Sequence, residues 1–241
     1  MISKSEIKSI TQLQQKKYRD TRQLFIAEGP KVISELLLAG MEVEAHYDTA
    51  PTHILKENYY QVTAQELKKI SCLKTANKSL AIFRKPTSAA LVDSGLIVAL
   101  DAVRDPGNLG TIIRLCDWFG VNQLICSEDT ADCFNPKVIQ ATMGSIARVA
   151  VHYVPLKDTL QSLSLPIFGA FMDGKNVYDG TLPSQGILVM GNEAHGVSAE
   201  ISEVIQERIS IPQFGSQTTE SLNVATATAI LLSEFRRAIE R

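Results

Sequence analysis

Cysteine is scarce in this chain and nowhere paired. Cys72, Cys116, Cys126 and Cys133 form no C-x-x-C motif, and no histidine stands at metal-ligand spacing from them. A disulfide framework and a zinc site are therefore excluded as organising devices. Cys116 falls in a helical apolar pattern and Cys126 ends a strand pattern, so both read as small buried hydrophobes. No apolar run approaches the roughly 20 residues that span a bilayer. Met1-Ile2-Ser3-Lys4-Ser5-Glu6 lacks the apolar stretch of a signal peptide, so a reducing cytoplasm is the expected compartment. Net charge is only −2, which excludes a simple polybasic nucleic-acid binder. Internal repeats, low-complexity segments and the Gly-Lys-Ser/Thr of a P-loop are also missing. So is the G-x-G-x-x-G of a dinucleotide fold.

Charge is unevenly spread. Residues 1–90 carry 14 Lys+Arg against 9 Asp+Glu, and residues 91–241 carry 10 against 17. The basic end is the candidate for meeting a polyanion. Breakers at Lys85-Pro86-Thr87-Ser88 and Asp93-Ser94-Gly95 bracket an expected boundary, giving domains 1–90 and 91–241. In the first, residues 3–23 predict a short exposed helix. Short β/α alternation follows: a strand at 25–27, a helix at 32–38, a strand at 43–47, a helix at 64–70 and a strand at 80–84. From 96 onward the alternation is regular. Strands are predicted at 96–100, 122–126, 148–153, 166–171, 187–190 and 208–211, with a polar turn at Asp173-Gly174-Lys175-Asn176. Helices are predicted near 110–119, 136–145, 156–163, 198–206 and 221–238. The pattern is α/β with a mostly parallel sheet covered on both faces.

Two apolar strands run into polar, glycine-bearing loops and then helices. Leu96–Leu100 leads into Asp105-Pro106-Gly107-Asn108-Leu109-Gly110, and Ile187–Met190 leads into Gly191-Asn192-Glu193-Ala194-His195-Gly196. Ligands of open α/β sheets bind at such carboxyl ends. A third polar segment, Gln213–Asn223, suggests one site built from three loops. Asn108 is read as a helix N-cap, with Arg114 one to two turns beyond it, an arrangement suited to phosphate or carboxylate. Arg114 sits among Ile112, Ile113 and Leu115, which suggests a side chain aimed into the site. The two loop glycines allow a backbone to approach a ligand. Glu193 can orient a cationic group. His195 has no partner in the sequence to make it a general base and is read as a hydrogen-bonded loop histidine. Ser221 is read as the N-cap of the last helix, with Asn223 buried in its first turn.

The order D-x-V-x-D-P-x-N-x-G-x-I-x-R, then G-N-E-x-x-G, then I-P…S-L-N-V-A resembles the SpoU/TrmH class of RNA ribose 2′-O-methyltransferases, of the SPOUT superfamily. The resemblance spans residues 96–238. Asn135-Pro136-Lys137-Val138-Ile139 and Ala141–Ser145 are similar to the middle of that domain. Phe25-Ile26-Ala27-Glu28-Gly29 with Val32 and Glu35-Leu36-Leu37 resembles the small α/β substrate-binding domain that often precedes it. The resemblance implies a C-terminal trefoil knot, a homodimer with active sites near the subunit interface, and S-adenosylmethionine as cofactor. By position it implies functional roles for Asn108, Arg114, Glu193, Ser221 and Asn223. It also implies backbone contacts to cofactor at Gly191, Ile211 and Leu222. Two departures stand out: Asn192 replaces a common Ser, and Gly215–Glu220 is longer than the usual link.

The implied reaction is attack of a ribose 2′-hydroxyl on a sulfonium methyl, with no metal required. Arg114 either takes the hydroxyl proton, which a guanidinium resists, or grips the neighbouring phosphate. Asn108, Ser221 and Asn223 would orient the ribose. Ribosomal RNA is the expected substrate and transfer RNA the runner-up. The competing readings are a non-catalytic RNA-binding or assembly factor, which the intact set of five residues argues against, and a Rossmann nucleotide enzyme, which the missing fingerprint argues against.

Overall fold

A computed structural model of the chain describes residues 2–50, 58–87, 89–215 and 221–237. Along the first third lie α1 (Lys4–Gln12), α2 (Lys16–Arg22), β1 (Leu24–Glu28), α3 (Pro30–Leu38), β2 (Val43–Asp48), β3 (Tyr59–Gln61), α4 (Ala64–Ile70) and β4 (Ser79–Arg84). Next come β5 (Leu96–Leu100), α5 (Pro106–Trp118), β6 (Gln123–Cys126), α6 (Pro136–Thr142), β7 (Ala150–Tyr153) and α7 (Leu156–Ser162). The last stretch holds β8 (Ile167–Asn176), β9 (Gly186–Met190), α8 (Ala199–Ser202), β10 (Glu207–Ser210) and α9 (Val224–Arg237). They form two compact units, Met1–Thr87 with Asp132–Arg148, and Ser88–Ala131 with Val149–Arg241.

The first unit is a four-stranded mixed sheet in the order β1-β4-β2-β3. The polar stretch 3–23 is two helices rather than one. A capping box starts α1: Ser3 Oγ accepts from the Glu6 amide while Glu6 accepts from the Ser3 amide. Ile10, Leu13, Ile26, Tyr47, Leu67, Ile70, Leu80 and Ile82 form one core under α1 and α4. Arg19 is fully buried within the unit. Its guanidinium donates to the Leu13 and Gln14 carbonyls, both at 2.8 Å, and to the Asp132 carboxylate. Phe134 packs on Phe25, with centroids 5.0 Å apart. Segment 132–148 thus supplies a charge partner and an aromatic wall to this unit.

The second unit holds a six-stranded sheet in the order β10-β8-β9-β5-β6-β7, with every pairing parallel. β5 and β9 are buried on both faces, as all-apolar central strands must be. Their register runs from Leu96↔Gly186 to Leu100↔Met190, so both strands end at one level. α5 and α9 run side by side in the same direction. Asn223, before α9, bonds Asn108 near the start of α5, and Arg236 near the end of α9 donates to the Phe119 carbonyl at the end of α5.

The polar turn expected at 173–176 is instead the continuation of β8. β10 pairs with Phe168 and Gly169, then skips to Lys175 and Asn176, so residues 170–174 bulge from the ladder. Gly174 makes this possible: a Cβ there would lie 2.5 Å from the Ile209 carbonyl carbon and 2.7 Å from its nitrogen. Among the described residues no helix is long and apolar enough to cross a membrane.

Candidate active site

The loops after β5 and β9 start side by side and are stitched together. Ala102 adopts φ 58°, a left-handed conformation rare for alanine. Its carbonyl accepts from Asn192 Nδ2 at 2.6 Å, and its amide donates to Ser127 Oγ at 2.9 Å. Asp101 Oδ2 accepts from the Ser198 amide at 2.7 Å. The Gly191–Gly196 loop closes on itself through paired Asn192–Gly196 backbone hydrogen bonds of 2.9 and 2.8 Å. Asn192 Oδ1 also accepts from the Ala194 and His195 amides. Asn192, noted only as a departure from the family pattern, is thus the staple of the loop. An Asn after a loop glycine was the available signal, since Asx side chains hold turns in this way.

The three loops meet through side chains. Asn108 Nδ2 donates to Glu193 Oε1 at 3.0 Å, and Asn223 Nδ2 donates to Asn108 Oδ1 at 2.9 Å. Asn223 is also the N-cap of α9, its Oδ1 accepting from the Ala225 and Thr226 amides. Asn223 therefore caps in place of Ser221, and it is exposed rather than buried. The same displacement occurs at α5. Asp105 is the N-cap, its side chain accepting from the Asn108 backbone amide at 2.8 Å, which leaves the Asn108 side-chain carboxamide for the relay.

Beside this relay lies a cavity of about 1000 Å³. Gly191, Glu193, His195, Ile211, Ser221 and Leu222 all line it. Ala170, Phe171 and Met172 from the β8 bulge close one side; they were missed because the bulge depends on pairing with β10. Arg208 stacks over Phe171 at 3.8 Å and pairs with Asp173 at 2.5 Å. Gly191 must be glycine for the loop's own sake. A Cβ would lie 2.5 Å from the Gly196 carbonyl oxygen, and closer still to that carbonyl carbon and the Val197 nitrogen.

Arg114 is not brought to the cavity of this chain. Ile112, Ile113 and Cys116 take the buried face of α5. Arg114 is exposed, on a stripe with Gly107, Thr111 and Trp118. Trp118, the chain's one tryptophan, is 83% exposed. His195 also differs from its reading, because its ring makes no hydrogen bond or ion pair with any described residue. Among the described residues no group of three His, Cys, Asp or Glu side chains could hold a metal.

Residues 95–233 match the SpoU rRNA Methylase family, and residues 4–81 match the MRM3-like substrate binding domain. The chain belongs to the SpoU rRNA methylase family. It is 28% identical over 240 residues to the 23S rRNA (guanosine(2553)-2′-O)-methyltransferase RlmP of Bacillus subtilis, covering 96% of each chain. A TrmH-family structure from Porphyromonas gingivalis superposes with a TM-score of 0.87 at 38% identity, covering 98% of this chain and 99% of that one. An AdoMet-bound rRNA methyltransferase from Sinorhizobium meliloti gives a TM-score of 0.87 at 28% identity, covering 100% and 98%.

Proposed function

We propose that this protein transfers a methyl group from S-adenosylmethionine to a ribose 2′-hydroxyl of 23S ribosomal RNA. The observation that carries the reading is the Asn223–Asn108–Glu193 relay, which joins the family's three signatures at the rim of one cavity. The cavity fits the cofactor. It is roomy, it offers Met190, Ile211 and Leu222 as apolar walls, and Gly191 brings loop backbone to its surface. Gly191, Ile211 and Leu222 would hold the cofactor. When bound, it supplies an electrophilic methyl group on a sulfonium centre. Ser221 and the relay would position the ribose, and positioning of two reactants accounts for much of the rate in such transfers.

Ribosomal RNA is favoured over transfer RNA by RlmP, a 23S rRNA enzyme by name, which matches this chain along nearly its whole length. The basic N-terminal residues would read RNA shape through phosphate contacts. We further propose a cytoplasmic homodimer whose C-terminal segment forms the trefoil knot. The Thr111–Arg114–Trp118 face of α5 would meet the second copy, and there Arg114 would grip the phosphate beside the target ribose.

The test is incubation with methyl-labelled S-adenosylmethionine and 23S rRNA transcribed in vitro, followed by mapping of hydrolysis-resistant ribose positions. One labelled 2′-O position is expected. Label on a base, or on transfer RNA alone, refutes the assignment.

A further inference from the structure

Among the described residues lining the cavity, only Glu193 and His195 carry groups that titrate. Glu193 is engaged, accepting from Asn108. His195 is held by its backbone, and among the described residues nothing holds its ring. The Asn192–Gly196 bonds and the Asn192 side chain fix the loop on both sides of it. The imidazole itself is exposed, on the cavity, and without a partner among the described residues. A loop fixed through its backbone, carrying an imidazole with no partner among the described residues, suits a proton acceptor.

We propose that His195 is the general base for the target hydroxyl; the proposal rests on the methyl-transfer reading above. In the step, the 2′-hydroxyl gives its proton to an imidazole nitrogen and its oxygen forms a bond to the methyl carbon. The carbon–sulfur bond breaks with its electron pair on sulfur, leaving a neutral thioether. The imidazolium then returns its proton to solvent. Imidazole is the side chain suited to this at neutral pH, whereas a guanidinium is protonated throughout. Arg114 is left with the phosphate.

The test uses the full chain, His195→Gln and His195→Asn, in single-turnover methylation of in-vitro-transcribed 23S rRNA from about pH 5.5 to 9. The wild-type rate should fall with acid along the titration of one group. Both variants should lose roughly 10²–10⁴ in rate together with that pH dependence, as expected for a lost general base. Their affinity for S-adenosylhomocysteine, measured by calorimetry, should match wild type and so report an intact cavity. A readout independent of turnover is carbethoxylation of His195 followed by mass spectrometry, which RNA plus S-adenosylhomocysteine should block. Variants within about threefold of wild type with an unchanged pH profile overturn the role. So does a His195 that is labelled equally fast in the complex. A variant with reduced thioether affinity and an unchanged pH profile assigns His195 to structure and also overturns it. A wild-type chain that methylates no RNA sinks the underlying reading instead.

Discussion

Gly191→Ala isolates the loop from every other part of the site. The added methyl carbon would lie inside the backbone of Gly196 and Val197, 2.5 Å from the Gly196 oxygen at its most distant close contact. Ordinary carbon contacts need about 3.5 Å, so the far side of the loop must move by about 1 Å or more. Such a shift breaks the Asn192–Gly196 pair of hydrogen bonds, now 2.9 and 2.8 Å. At about 0.5–1.5 kcal/mol each, their loss amounts to about 1–3 kcal/mol. Because the loop lines the cofactor cavity, that free energy should appear in binding, as a loss of roughly 5- to 150-fold in affinity. Calorimetric titration with S-adenosylmethionine measures it, and circular dichroism confirms the fold. The loop glycines are expected from sequence to let backbone approach a ligand; the contact of Gly191 with its own loop means that even alanine suffices to disturb it. A folded Gly191→Ala protein with unchanged affinity would refute both the self-contact argument and the cofactor placement.

Arg114→Ala should abolish methyl transfer in a single-turnover assay while leaving cofactor affinity within about twofold, and Arg114→Lys should restore little because lysine lacks the planar fork. Arg19→Met strands the Asp132 carboxylate and two carbonyls within the first unit, and should lower stability by about 3–5 kcal/mol in urea unfolding; a change under about 1 kcal/mol would contradict the buried-clamp reading. Burial holds His152 below the ordinary imidazole range, as it does His46 against the opposing pull of Asp48. The unfolded chain then binds more protons, so the melting temperature should drop as pH falls through about 6.5 and level off below the folded-state values. His152→Asn should flatten that drop, and an unaltered slope counts against it. Lys8, Lys68 and Lys69 are exposed on the adjoining helices α1 and α4; their joint change to glutamate should weaken 23S rRNA binding and make its salt dependence shallower, as read by filter binding.

Much of this architecture was legible because apolar runs bounded by glycine and aspartate can hardly be anything but buried strands. β5 and β9 fall where periodicity puts them. Failures occurred wherever a distant partner decides. Asp173-Gly174-Lys175-Asn176 has turn chemistry, yet pairing with β10 keeps it in β8. A polar N-terminal stretch gave no sign that Arg19 is an anchor, because its acceptor Asp132 lies 113 residues away. Nor does a boundary near residue 90 reveal that 132–148 groups with the first unit. At both helix starts the sequence reading puts the cap on the wrong residue, and the hydrogen bonds place it on Asp105 rather than Asn108 and on Asn223 rather than Ser221.

That choice of caps explains how the site comes to exist. α5 and α9 run parallel and begin at the same end of the sheet, so their first turns are neighbours. Had Asn108 been the cap of α5, its carboxamide oxygen, which accepts from Asn223, would have been spent on helix amides. With Asp105 capping, Asn108 sits one turn in and its side chain is free to bridge Glu193 and Asn223. Asn223 does both jobs, its oxygen capping α9 and its nitrogen reaching Asn108. Folding the last helix and assembling the relay are thus one event. A substitution at Asn223 should therefore weaken the helix start and the site together, whereas one at Asn108 should disturb the site alone.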